Sequence, residues 1–404
     1  MSATSSARRR EWSGPAILSF GFRPFFFGAA VWAALAMALW LAELSGRLAL
    51  PSAFDPVSWH AHEFLFGYLG AVMAGFLLTA VPNWTGRLPV VGWPLAGLAG
   101  LWLVGRGAIA FSEGLSAALV AALDLAFPVA LALYLAREII VGRNWRNLIV
   151  LALLVAFIAG NALFHWQAAQ GAYAAGGAGL RLGLGTAIMM IAVIGGRIVP
   201  SFTRNWLARQ GGGRLPVPPM QRFDKLALLG LLAALVLWVA WPEHPLSGGA
   251  LILAGVLHLR RLARWAGART LAEPLVTVLH VGYAFVPLGA VVLGAAILEP
   301  QSGGVAAAQH LWMAGAIGMM TLAVMTRATL GHGGQALTAG PATVAIYAAV
   351  LIATFARLGA GVWPDQANAL YMLAGAAWMA GFGGFAVVYG KLLLRRHRPA
   401  ARQA

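Results

Sequence analysis

The chain has 404 residues, of which 60% are hydrophobic and only 10% charged, with a mean hydropathy of +0.78. That apolar share exceeds what a soluble domain carries and indicates a membrane protein. Cysteine is absent, which excludes disulfides, thiolate zinc, iron–sulfur clusters and Cys-ligated haem held by this chain, and leaves His, Met and carboxylates as metal ligands.

The net charge of +16 would suit nucleic acid if the basic residues were clustered on a soluble face. They fall between apolar runs instead, so nucleic acid is not an expected partner and the lipid bilayer is. Arg8, Arg9 and Arg10 are followed by Glu11, Trp12 and Ser13, and the first apolar run has no small-residue cleavage site behind it. No signal peptide is expected, and residues 1–24 are read as a cytoplasmic segment.

With roughly 20 apolar residues needed per crossing, twelve spans are predicted: 25–44, 59–82, 94–112, 116–139, 147–168, 179–199, 226–242, 247–263, 272–297, 305–326, 340–360 and 367–394. They make an all-α polytopic bundle over residues 25–394, with a basic cytoplasmic tail at 395–404. The longest link, Arg204 to Lys225, leaves no room for a soluble domain. With both termini inside, the inner loops collect Arg87, Arg137, Arg143, Arg146, Arg204, Arg209, Arg260, Arg261 and Arg327, while the outer loops hold only Arg47 and Arg181 among basic residues, with Glu43, Asp55, Glu113, Glu243, Glu299 and Asp365. That segregation follows the positive-inside rule and fits a multi-pass membrane protein with both termini cytoplasmic. Inner ends of spans 2, 6 and 10 resemble one another (Val81-Pro82-Asn83-Trp84, Val199-Pro200-Ser201-Phe202, Val324-Met325-Thr326-Arg327), which suggests a pseudo-threefold arrangement of four-helix units.

Ionisable residues inside spans are costly and point to function. Asp55 and Pro56 form an N-cap and first-turn pair, so Trp59-His60-Ala61-His62-Glu63 opens span 2 at its outer end. Counted from the inner ends, His62 lies 19 residues from Val81, His165 lies 18 from Asn147 and His310 lies 15 from Met325. Three helices thus bring imidazoles to one outer layer; singly, each reads as an interfacial residue bonded to a backbone carbonyl, and together they read as ligands of a metal. Positions i and i+2 stand about 200° apart on a helix, so His60 and His62 cannot both face one metal; His62 is favoured, with His60 at a second centre or outside the shell. Glu63 reads as a carboxylate that orients an imidazole, a proton acceptor, or a satisfied polar group. Deeper in span 9, His280 and Tyr283 suit an axial ligand, a proton relay, or a helix–helix hydrogen bond. His258, beside Arg260 and Arg261, reads as solvated, as do His244, His332 and His397.

The inner layer differs in kind. Asn83, Arg197, Arg204, Asn205 and Arg327 supply donors suited to anions or haem propionates, or to ordinary membrane anchoring. Arg197 stands out, because Gly195-Gly196-Arg197 falls within a span. Walker, dinucleotide-binding and HExxH motifs are absent.

In combination, Gly21-Phe22-Arg23-Pro24-Phe25-Phe26, the WHAHEF run, Gly75-Phe76-Leu77-Leu78-Thr79-Ala80 with Asn83-Trp84-Thr85-Gly86, Pro200-Ser201-Phe202-Thr203-Arg204-Asn205, His280-Val281-Gly282-Tyr283 and Met325-Thr326-Arg327-Ala328-Thr329-Leu330-Gly331-His332 resemble the NnrS family from about residue 20 to 335. The resemblance implies a twelve-span bacterial inner-membrane protein containing haem, of the b type, and copper, with a role in denitrification and nitric oxide resistance. Nitric oxide or a related small ligand and a redox partner are the partners it implies. The outline is also similar to the catalytic subunit of haem–copper oxidases, but the adjacent His-His pair and the His-x-x-x-Tyr of that family's copper site are missing. Two other classes fit the sequence: a proton-coupled secondary transporter using Glu63 and Arg197, and a non-catalytic sensor or assembly factor for metal or nitric oxide.

Overall fold

Apolar runs have no water to satisfy their peptide groups in lipid, so each closes its hydrogen bonds within a helix. Twelve helices long and apolar enough to cross a membrane appear in the computed structural model, and no strand occurs among the described residues. The structure describes residues 12–211, 213–299 and 304–395. Arg8 to Arg10, His397 and the basic tail beyond Arg395 lie outside them.

In chain order the helices are α1 (Phe22–Leu44), α2 (Pro56–Thr85), α3 (Trp93–Ala110), α4 (Ala117–Val141), α5 (Trp145–Ala169), α6 (Ala178–Arg209), α7 (Arg222–Ala240), α8 (Pro245–Ala263), α9 (Pro274–Leu298), α10 (Val305–His332), α11 (Pro341–Val362) and α12 (Pro364–Leu394). Local chemistry sets several starts. Asp55 accepts from the amides of Val57 (3.1 Å) and Ser58 (2.9 Å) ahead of α2, and Ser116 accepts from Leu119 (3.3 Å) ahead of α4. Pro occupies the first turn of α2, α3, α8, α9 and α11, where its missing N–H costs nothing. The expected long link from Arg204 to Lys225 is shorter in the structure. Helix α6 runs on to Arg209, and α7 begins at Arg222, where Asp224 accepts from the Gln221 amide at 2.8 Å.

Every fourth helix is distinct. In α2, α6 and α10 the share of the most apolar stretch that is buried is 83%, 72% and 72%, against 61% or less in the others. Each of the three also contains a π-helical segment: Glu63–Tyr68, Ile191–Gly195 and Leu311–Gly318. Such segments open the i→i+4 ladder and free backbone groups, and they are frequent at functional sites.

The chain divides into two compact units. The first comprises Met1–Gly183, Val324–Ala336 and Phe382–Ala404, and so holds α1 to α5 with the ends of α10 and α12. Its core includes Phe25, Phe26, Trp59, Phe164 and Phe382. The second comprises Leu184–Ala323 and Leu337–Gly381 and is centred on α7, α8, α9 and most of α6 and α10. Its largest fully buried side chains are Trp238, Trp265, Trp312, Arg261 and Tyr283.

Candidate metal centre and buried charge network

The site in the first unit starts from the π-helical turn of α2. Within this segment the Gly67 carbonyl accepts from Trp102 of α3, whose indole N–H donates to it at 3.0 Å. This bond holds α3 against α2, one turn away from Arg106. A β-carbon on Gly67 would collide with Arg106 Nη1 and come within 2.9 Å of Glu63 Oε2. Only a residue without a side chain lets the guanidinium lie along α2 at this level.

Arg106 bridges two carboxylates: Nη1 donates to Glu63 Oε1 and Nη2 to Asp124 Oδ1. All three side chains are buried. One cation against two anions leaves a net negative charge in an apolar surround, which calls for a further positive charge.

His62 lies where that charge is missing. Its Nδ1 is 3.2 Å from Glu63 Oε1, while its Nε2 is 3.0 Å from Asn161 Oδ1 and 3.2 Å from Asp124 Oδ2. Asn161 is oriented by its Nδ2, which donates to Asp124 Oδ2 at 2.7 Å. His165, one turn further along α5, places Nε2 3.1 Å from the same Asp124 oxygen. Both nitrogens of His62 therefore face oxygen acceptors, and a neutral imidazole has only one proton to give. A second proton, or a cation bound between Nε2 and the oxygens, completes the set.

One ligand atom each from His62, Asp124 and His165 lie within 4.8 Å of one another. Two imidazoles and a carboxylate are a donor set suited to copper or another imidazole-loving divalent ion. Aromatic rings close the surround: Phe54, Phe66 and Phe164 lie 5.8, 5.4 and 5.5 Å from the His62 ring, and Phe54 lies 5.7 Å from His165. Asp124, Arg106 and Asn161 were not singled out from the sequence. The signal was present for the first two, because a charged residue well inside an apolar run is expensive in lipid.

Of the residues picked from the sequence, His62, His165 and Glu63 meet here. His60 points elsewhere: it stacks on Trp40 of α1 at 4.5 Å and packs against Phe64 at 4.6 Å. His310 belongs to the second unit, and its Nδ1 donates to the Ala306 carbonyl of its own helix at 2.7 Å. His332, expected in a loop, ends α10 and stays exposed beside Phe20 and Phe22, at 4.7 and 5.5 Å. Asn83 and Asn205 are exposed, whereas Arg197, Arg204 and Arg327 are half-buried. Arg204 is spent on the Pro216 carbonyl. Among the described residues the buried arginines are Arg23, Arg106 and Arg261, not Arg197.

His280 lies in the second unit. Thr203 donates its hydroxyl to the Val199 carbonyl at 2.8 Å, so it accepts from His280 Nε2 at 2.8 Å. The proton is thereby fixed on Nε2, and the buried Nδ1 carries a lone pair with no hydrogen-bond partner among the described residues. Gly267 abuts that nitrogen, since a β-carbon there would be 2.7 Å away. His258 is a correction. It was read as solvated, but it lies on the inward side of α8 and is fully buried, with Arg261 one turn further on the same face.

These features define a polytopic helical membrane protein with a buried imidazole–carboxylate centre bridged by arginine. The chain belongs to the NnrS family: the family described as NnrS protein matches residues 16–397, nearly its whole length. Among curated proteins, none matches this chain.

Proposed function

We propose that this protein is a haem- and copper-binding protein of the bacterial inner membrane that acts in nitric oxide metabolism or nitric oxide resistance. His62, His165 and Asp124 hold the copper, and Asn161 supplies a nearby amide oxygen. The observation that carries this reading is His62, whose two ring nitrogens both face oxygen acceptors beside a bridged carboxylate pair short of one positive charge. Glu63 and Arg106 then position the ligands. Glu63 accepts from His62 Nδ1, which presents Nε2 to the ion, and Arg106 holds Asp124 Oδ1 so that Oδ2 faces the imidazoles. Copper bound there supplies one-electron exchange with a small diatomic ligand. The phenylalanine shell limits water, and an apolar gas reaches such a site through the lipid.

His280 would be the residue to hold haem, since its buried Nδ1 has no hydrogen-bond partner among the described residues. Gly267 stands against that nitrogen, so haem binding there requires the 267–270 turn to move aside.

The test is to purify the protein from metal-replete cells, measure copper and haem per chain, and record the spectrum. His62→Ala, His165→Ala and Asp124→Ala are each expected to lose the copper while His310→Ala retains it; His280→Ala is expected to change the haem signal alone. A metal-free wild-type protein refutes the reading. Transport is the second reading, favoured by the buried Glu63–Arg106–Asp124 chain of charges. Proton-driven uptake into proteoliposomes that survives loss of both His62 and His165 would select it.

A further inference from the structure

A second buried polar network, in the other unit, is left unused by the function proposed above. Tyr283 of α9 is 0% exposed, and its hydroxyl lies 2.8 Å from His258 Nδ1 and 2.8 Å from Arg261 Nη1. The direction of each bond follows from the outermost partner. His258 Nε2 lies 3.1 Å from the Ala227 carbonyl, which can only accept, so Nε2 carries the imidazole proton and Nδ1 is the acceptor. Tyr283 therefore donates its single hydrogen to His258, and Arg261 donates to the phenol oxygen.

Charge is balanced around this pair. Arg261 Nε donates to Asp224 Oδ1 at 3.0 Å and Nη1 also reaches the Ala192 carbonyl at 3.0 Å. The guanidinium is thus fixed by two helices besides α9. Trp265 packs edge-on to Tyr283 at 4.6 Å and lies under the guanidinium at 5.2 Å. Simple helix–helix adhesion would need one hydrogen bond to the hydroxyl. Here the hydroxyl has its proton already aligned on a neutral base, with a compensated cation on its oxygen and an electron-rich ring in contact.

We propose that Tyr283 is a redox-active tyrosine whose proton is passed to His258. One electron leaves the phenol for a one-electron oxidant, the O–H bond breaks, and an N–H bond forms at His258 Nδ1. The products are a neutral phenoxyl and an imidazolium that donates back to it, so no radical cation forms in the apolar surround. The oxidant class is a lipid-soluble nitrogen-oxide radical such as nitrogen dioxide, which becomes nitrite on taking the electron. That choice of oxidant rests on the nitric oxide reading; the redox activity of Tyr283 does not.

The experiment uses the full chain in detergent with flash-oxidised ruthenium tris-bipyridine and freeze-quenched electron paramagnetic resonance, so it is independent of any metal or nitrogen oxide. The wild type is expected to give a radical signal that narrows when ring-deuterated tyrosine is incorporated. Tyr283→Phe removes it, although six of the seven tyrosines remain. His258→Leu slows its formation by about a hundredfold or more, the usual contribution of a positioned base. A measurement without substitution guards against variants that do not fold. Double resonance on the wild-type radical should show a strongly coupled proton that is lost in D2O. Absence of a tyrosyl signal in the wild type, absence of that proton, an undiminished signal in Tyr283→Phe or an unchanged rate in His258→Leu each overturns the proposal. Repeating the measurement with nitrogen dioxide tests the oxidant separately: nitrite formation without the Tyr283 radical would reject that oxidant class and leave the tyrosine assignment standing.

Discussion

Replacing Arg106 with Gln removes the guanidinium that bridges the Glu63–Asp124 pair and leaves a shorter, neutral polar side chain. Both carboxylates are fully buried, and each receives one charge-assisted bond from Arg106. Breaking one such buried pair costs about 3–5 kcal/mol. Two pairs break together here, but Asp124 keeps its bond from Asn161 Nδ2, so the losses do not double. A loss at the upper end of that range is expected, against a total margin of about 5–15 kcal/mol for a folded domain. The assay is reversible unfolding in mixed detergent micelles, followed by tryptophan fluorescence. Adding Glu63→Gln to Arg106→Gln removes one stranded anion and should recover about 1–3 kcal/mol. Copper is expected to restore part of the loss, because the ion brings positive charge to the same carboxylate. The reasoning fails if Arg106→Gln unfolds within about 0.5 kcal/mol of the wild type, or if the double variant is no more stable than the single one.

Gly67→Ala places a methyl group against Arg106 Nη1 and Glu63 Oε2; a loss of about 1–3 kcal/mol is expected from this overpacking, together with reduced copper content, read by unfolding and elemental analysis. Thr203→Val keeps the shape of the side chain but leaves His280 Nε2–H without its acceptor, which should cost about 1–3 kcal/mol in the same unfolding assay. Stripping the metal with a membrane-permeant chelator should lower stability by about 2.7 kcal/mol from the level held at a hundredfold excess over Kd, and His62→Ala protein should not respond to the chelator. His60→Ala, which removes a ring stacked on Trp40 rather than a ligand, is expected to keep its copper per chain.

Which parts of the site could be read in advance follows from how local each constraint is. The i to i+2 angle already separates His60 from His62, and the structure turns His62 inward while laying His60 on Trp40. Asp124 and Arg106 were legible as costly charges in apolar runs, although their pairing was not, since it joins α2, α3 and α4. His310 shows the opposite case. Its depth along α10 resembles that of His62 along α2, but equal depth says nothing of the angle a side chain takes or of which helices are neighbours. His258 was misjudged by its sequence neighbours: Arg260 faces outward, whereas His258 and Arg261, three residues apart, share the buried face of α8.

The sequence by itself determined the helical class, the twelve spans and most of their limits to within a few residues, because hydropathy, caps and prolines act over one or two turns; the polar ends of α6 and α10 run ten and six residues past their expected limits. Spans 2, 6 and 10 already shared similar ends, and their π-helical turns mark them again in three dimensions. Only the tertiary structure decided which buried charges meet. Arg106 reaches both Glu63 and Asp124 only where Gly67 clears the way, and Tyr283 finds a base and a cation together only because α8 turns His258 and Arg261 to the same side. The physical reason is the same in both units: a charge in an apolar medium must find its counter-charge across helices, and the rotation of each helix that allows this is set by packing, which no local stretch of sequence contains.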